Sequence, residues 1–241
     1  MIAVIPKGGS FKVNAKIEKI TNFLKKHPNR FTTIAYLMMF VLPIMFQKIL
    51  SEVLIWYLLV PFFILMFDLW IRKFQFRWSK IWEKVRKFSY IRATVYAIVL
   101  YFINIGVTYG ETFFSGVRLN SKNTVSLMNT VGNVPLVFLY ILVIAPIIEE
   151  FTFRESFFNG LTNKFEDLDY RPFTSRKLVI AISAWVVALM FALVHNDVHL
   201  ISYEIVSLWL QFIYCHERKI SYTICAHIGS NVITLLVLLL A

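Results

Sequence analysis

The stretch whose reading decides the fold is Val134–Gly160, VPLVFLYILVIAPIIEEFTFRESFFNG. It opens as an uninterrupted apolar run with the character of a membrane span. It then places Glu149, Glu150 and Arg154 within six residues. Charged side chains at membrane depth cost about 2.5–3.5 kcal/mol each on insertion scales, so three together need partners, water or a chemical task. On a helix, Glu150 and Arg154 are i,i+4 neighbours, and Glu149 points about 100° away from Glu150. One carboxylate can pair with Arg154 while the other faces a cavity, and carboxylates in unlike surroundings can take unlike protonation tasks. The plain alternative is a buried ion pair that fixes helix packing, with Glu149 solvated near the inner face.

The rest of the chain supports a membrane setting. Of 241 residues, 58% are hydrophobic, against about 45–50% in soluble domains, and the mean hydropathy is +0.66. Seven apolar stretches can be marked: Phe31 to Gln47, Glu52 to Ile71, Ala93 to Tyr109, Val134 to Phe158, Leu178 to His195, Leu200 to Cys215 and Ile220 to Ala241. The sixth is short and carries Glu204 and Gln211. Lysines and arginines between these stretches number seven, one, eight, two, five, none, two and none, with Arg154 counted in the fifth group. That alternation is the positive-inside pattern for a cytoplasmic N-terminus. It accounts for the net charge of +11 through loops facing an anionic leaflet, so no nucleic-acid partner is expected.

The expected fold is therefore all-α: a polytopic membrane bundle of about seven (7–8) transmembrane helices with a polar intramembrane cavity. Residues 1–30 read as a basic cytoplasmic or interfacial segment, not a secretory signal. Residues 31–133 read as N-terminal membrane helices and residues 134–241 as a helical core. Arg72 to Arg92 reads as a basic cytoplasmic loop in which Trp78 and Trp82 suggest an interfacial helix. Gly110 to Asn133 reads as a polar loop on the other side, with Phe113, Phe114 and Leu119 able to lie on the surface. Cys215 and Cys225 lack metal or redox spacing and read as core packing.

Two further polar groups lie in later spans. His195 ends the run Phe191-Ala-Leu-Val-His195, and His227 and Asn231 share one face of His227-Ile-Gly-Ser-Asn231. Taken singly, each has a structural reading, as a hydrogen-bonded core histidine or an interhelical polar contact. His195 and His199 would form an i,i+4 pair only if their helix continued past Asn196 and Asp197. Polar residues in a membrane bundle face inward, so the groups taken together point at one interior. Carboxylate, imidazole and amide suit hydrolysis: a Glu takes a proton from water, and a His and an Asn stabilise an oxyanion. HExxH is absent. Paired halves with broken helices, the mark of many transporters, are not evident.

On these residues the chain resembles the CPBP family of intramembrane proteases, which includes type II CAAX prenyl endopeptidases and bacterial Abi proteins. The family pattern is EExxxR, then FxxxH, then HxxxN or HxxxD, on successive helices. Here it reads Glu149-Glu150 to Arg154, Phe191 to His195 and His227 to Asn231, within roughly Pro135 to Leu240. The resemblance implies an intramembrane endopeptidase. Glu149 would activate water with His195, Glu150 and Arg154 would support the site, and His227 and Asn231 would stabilise the oxyanion. Both a Zn2+ ion on Glu149, His195 and His227 and a metal-free glutamate mechanism are compatible with it. It also implies membrane lipids and a peptide or lipid-anchored protein substrate as partners, a bacterial cell membrane, and peptide-pheromone processing or bacteriocin self-immunity as roles. A non-catalytic immunity or scaffold protein of the same fold is the alternative. Two positions depart from the pattern. Glu155 stands where the family often has Gly, and small residues are largely missing around Ser207 to Gln211.

One depth mismatch is expected. Helix rise puts Glu149 about 22 Å from Val134 and His195 about 27 Å from Lys177. A shared site requires the fifth helix to start below the membrane, the fourth to start above it, or tilt.

Overall fold

The computed structural model describes residues 88–116, 121, 139–167 and 175–240, with a few isolated positions between 18 and 67. The expected spans Phe31 to Gln47 and Glu52 to Ile71, residues 1–30 and the Trp78/Trp82 segment lie outside the described stretches. Among the described residues every regular element is helical and no strand occurs. In chain order they are α1 (Tyr90–Ser115), a continuous helix α2 over 140–167, α3 (Arg176–His195), α4 (Leu200–Glu217) and α5 (Ile220–Leu240).

Local chemistry sets most helix ends. Ser89 accepts the Arg92 N–H at the start of α1, and Ser175 accepts the Leu178 N–H at the start of α3, each satisfying an otherwise orphaned donor. α1 ends at Gly116, whose φ of 66° is the left-handed turn glycine adopts without strain. α1 therefore runs six residues beyond the expected span, and Gly110 to Ser115 is helix where a polar loop was expected. Arg92 likewise belongs to α1 and not to the preceding basic loop. α3 stops at Asn196, in the left-handed region at φ 46°, so His199 falls beyond the helix of His195, as the cap residue that precedes α4.

α2 changes pitch three times. It is π-helical over Tyr140–Ile144, α-helical over Ala145–Glu150, π-helical over Phe151–Phe158 and α-helical over Asn159–Asp167. Pro146 is buried in this helix. It cannot donate to the carbonyl of Leu142 and its ring crowds that carbonyl, and the wider turn just before it accommodates both effects.

The helices pack around two apolar clusters. Ile148, Phe153 and Phe158 of α2 meet Val187 and Phe191 of α3. Ala93 and Leu100 of α1 meet Leu210 and Ile213 of α4 and Tyr222 and Ala226 of α5. α4 touches α1, α3 and α5, and α5 lies against α1, α4 and α2. Among the described residues three helices, α1, α3 and α5, are long and apolar enough to cross a membrane. Much of their apolar surface faces outward, including Ile91 and Phe102 on α1, Trp185 and Leu193 on α3, and Leu236 to Leu240 on α5. Hydrocarbon solvates such a surface at no cost, whereas water does not. Cys215 and Cys225 also face outward, which corrects the expectation of core packing: Cys215 is about 200° around its helix from the buried Ile213, and Cys225 about 100° around from the buried Ala226.

The tightest helix contact is at Gly229. A Cβ there would lie 2.7 Å from the Cβ of Ala97, so α5 and α1 meet almost backbone to backbone, as small residues permit in membranes. Gly229→Ala is expected to cost about 1–3 kcal/mol through overpacking, and adding Ala97→Gly should recover most of it. Equilibrium unfolding in detergent reads both; a Gly229→Ala variant as stable as the parent would show that the two helices are not so closely apposed.

Candidate active site

The site is built from the middle of α2 outward. Glu150 and Arg154 are fully buried and paired, with Arg154 Nε donating to Glu150 Oε2 at 3.0 Å. Arg154 Nη1 donates to Ser207 Oγ at 2.9 Å and, more weakly, to Gln211 Oε1 at 3.5 Å, both on α4. Its guanidinium carbon lies 5.7 Å from the centre of the Phe191 ring, within cation–π range. The other oxygen of Glu150, Oε1, accepts from His227 Nδ1 on α5 at 3.0 Å. A carboxylate paired with arginine only accepts, so the Nδ1 proton of His227 is fixed and its Nε2 edge is turned outward. Nε2 stands 3.8 Å from Glu149 Oε2, too far for a hydrogen bond.

The two glutamates are thus placed in different environments by one residue of helix. Glu150 has no exposed side-chain surface, while that of Glu149 is 15% exposed. The first is held by two cations or donors; the second faces the outer edge of His227.

His195 joins through Phe191. The Phe191 ring centre is 4.4 Å from that of His195 and 6.2 Å from that of His227. His195 Nδ1 is 2.7 Å from the Phe191 carbonyl oxygen. Since a carbonyl can only accept, Nδ1 carries the proton and Nε2 presents a lone pair. The imidazole is also stacked with Tyr203, at 4.2 Å with 25° between the planes. Asn231 lies one turn beyond His227 on the same face of α5, half-buried, without a hydrogen bond to the other five residues.

The expected depth mismatch is absent because α2 continues past Phe158 to Asp167. Glu149 lies eighteen residues before the end of α2 and His195 nineteen residues after the start of α3. Measured from the end of α2 and the start of α3, each is up to about 27–29 Å along its helix. Ser207 and Gln211 are the residues that the sequence flagged only as departures from a small-residue pattern. Their i,i+4 spacing on α4 was the available signal, and their partner is Arg154. Tyr203 carried no signal at all.

Among the described residues no three His, Cys, Asp or Glu side chains gather closely enough to bind a metal ion. As they stand, Glu149, His195 and His227 are not gathered closely enough to hold a zinc ion.

Residues 131–233 match the family model described as type II CAAX prenyl endopeptidase Rce1-like. This stretch is similar to an Rce1-like domain. It contains all six residues described above, and the chain is an integral membrane protein. A Bacillus subtilis (strain 168) protein named "Putative membrane peptidase YdiL" is 27% identical over 122 residues, which cover 50% of this chain and 45% of that protein. The chain thus spans about half the length of the curated relative it matches. No solved structure matches.

The geometry separates the glutamates by experiment. Breaking a buried pair by removing one partner costs about 3–5 kcal/mol, so Glu150→Ala should destabilise the Rce1-like domain by that amount. Glu149→Ala, which loses only a long contact, should cost less than about 1 kcal/mol. Unfolding in detergent compares them; equal losses would mean that Glu149 is also a packing residue.

Proposed function

We propose that the Rce1-like domain is an intramembrane endopeptidase in which Glu149 activates water against a peptide bond. The observation that supports this most directly is the contrast between the two glutamates. Glu150 is tied to Arg154 and His227, and Glu149 stands free of such ties at the edge of the same cluster. A base must be able to take up and release a proton, and a carboxylate locked by an arginine is poorly suited to that.

In the proposed reaction, water sits between Glu149 and the Nε2 lone pair of His195. Glu149 takes one proton as the water oxygen attacks the carbonyl carbon, and the carbonyl π electrons move to oxygen. His227, protonated on both nitrogens, donates from Nε2 to that oxyanion, and the amide of Asn231 assists. Glu149 then passes its proton to the departing amine as the C–N bond breaks. With His227 charged, two carboxylates balance one guanidinium and one imidazolium, so the cluster is neutral overall in a medium that penalises net charge. Zinc binding would require Glu149, His195 and His227 to draw together, and metal analysis of the purified protein reads that directly.

The substrate we infer is a membrane-associated peptide or lipid-anchored protein, in a bacterial membrane with the N-terminus cytoplasmic. Pheromone processing and bacteriocin self-immunity both satisfy this chemistry. Comparative peptidomics of cells carrying the parent or Glu149→Gln tests the reading. Loss of a general base lowers rate about 10²–10⁴-fold, so specific cleavage products should vanish in Glu149→Gln and in His195→Ala at normal protein levels. An unchanged peptidome with both variants would instead return the non-catalytic immunity or scaffold reading.

A further inference from the structure

A second polar cluster lies at the far end of α1, where α3 turns into α4. Its centre is Glu111. Oε1 accepts the N–H of Ile201 at 2.9 Å and that of Ser202 at 3.4 Å. Oε2 accepts the Ser202 hydroxyl at 2.7 Å and is 3.0 Å from His199 Nδ1. Thr108, one turn earlier on α1, reaches the same Ser202 hydroxyl at 2.9 Å. The Glu111 and His199 side chains are nearly buried.

α4 begins without help from its own cap residue, since the His199 side chain makes no capping hydrogen bond. Glu111 does this instead from another helix, eighty-eight positions away in sequence from its partner His199. A carboxylate at a helix N-terminus is favoured both by the exposed N–H groups and by the helix dipole. Asp197 secures the rest of the corner, with Oδ1 accepting the His199 N–H at 3.3 Å and Oδ2 the Ser121 hydroxyl at 2.8 Å. The corner therefore has His195 as its entry and the first turn of α4, with Tyr203, as its exit. What Glu111 grips is the turn from which the Tyr203 ring projects onto the His195 imidazole.

We propose that Glu111 is a positioning residue for His195, acting through the first turn of α4 and the stacked ring of Tyr203. This rests on the endopeptidase reading only for the purpose it gives His195; the placement itself does not need catalysis. With Tyr203 across its face, the imidazole is held in the plane that lets Nδ1–H reach the Phe191 carbonyl, and Nε2 is the nitrogen without the proton. Released from the stack, the ring rotates about its terminal torsion, which has broad minima, and the single tautomer is lost.

The test is 15N NMR of histidine-labelled full-length protein in detergent micelles, with the His195 signals assigned by their disappearance in His195→Gln. The parent should show His195 in one neutral form, protonated on Nδ1. Tyr203→Phe keeps the stack and should preserve that signature. Tyr203→Leu and Glu111→Ala should each replace it with a tautomer mixture, and the double variant should go no further than either alone. Ser89→Ala, which removes the cap at the opposite end of α1, controls for general loosening and should leave His195 unchanged. A single retained tautomer in both Tyr203→Leu and Glu111→Ala would overturn the proposal, as would equal scrambling by Ser89→Ala. If Glu149→Gln left processing intact, the protease reading would fail while the tautomer result stood by itself.

Discussion

Much of the described structure follows from one constraint, the burial of the Glu150–Arg154 ion pair among apolar helices. Neither residue has any solvent contact. Desolvating two charges costs several kcal/mol per ion, and their attraction offsets this only when the remaining hydrogen-bonding positions are also filled. The neighbouring helices supply that filling. α4 contributes Ser207 and Gln211, α5 contributes His227, and α3 presents the face of Phe191 to the guanidinium. Four helices are thereby registered against one another by a single pair. One donor, Arg154 Nη2, has no hydrogen-bond partner among the described residues, so the ring face beneath the guanidinium is part of what compensates its charge. Such a network contributes more to specifying one arrangement of helices than to net stability, because apolar side chains of similar volume would pack at less cost.

That constraint also generates the asymmetry on which the functional reading depends. Adjacent residues on a helix point about 100° apart, so fixing Glu150 toward Arg154 and α5 turns Glu149 away from the guanidinium. His227 spans the two: one ring nitrogen is engaged from behind by Glu150 and the other faces Glu149. This is the carboxylate–histidine arrangement that orients an imidazole in many catalytic sites. The tie that makes the cluster rigid is therefore also the one that aims the working edge of the ring.

The sequence made the helices and the kit legible because both signals are local. Apolar runs placed α3, α4 and α5 within a few residues of their observed ends, and the EExxxR spacing anticipated the Glu150–Arg154 pair. What it could not show was anything that depends on distant partners. Glu111 fell in a segment that reads as a polar loop, because Thr, Gly and Glu near the end of α1 lower its hydropathy; the helix continues because that carboxylate finds the N-terminus of α4. Ser207 and Gln211 looked like imperfections in a small-residue pattern, and their purpose is visible only beside Arg154. The depth mismatch had a similar origin. Hydropathy ends the fourth span at Phe158, yet helical hydrogen bonding continues through the polar Asn159–Asp167, which hydropathy does not register. Cys215 and Cys225 show the reverse error: apolar side chains were assigned inward, whereas in lipid the outward face is equally apolar.

The depth of the site bears on how water reaches it. α3 has twenty residues and is about 30 Å long, close to the thickness of the hydrocarbon core, and His195 is its last residue. Phe191, one turn earlier, links it to His227, which lies seven residues into α5. The cluster accordingly reaches from the interior of the bundle, where Arg154 meets Ser207 and Gln211 of α4, to the polar corner of Asn196, Asp197 and His199. α1, at twenty-six residues and about 39 Å, carries Glu111 to that corner, while Phe113 and Phe114, 80% and 88% exposed, sit beside it, as suits aromatic rings at an interface. The proposed hydrolysis needs water at the edge of the cluster. It needs a corner that admits water yet keeps the imidazole oriented, and a clasp made of a helix N-terminus and a carboxylate meets both requirements, since its hydrogen bonds tolerate water nearby while fixing the backbone from which the stacking ring projects.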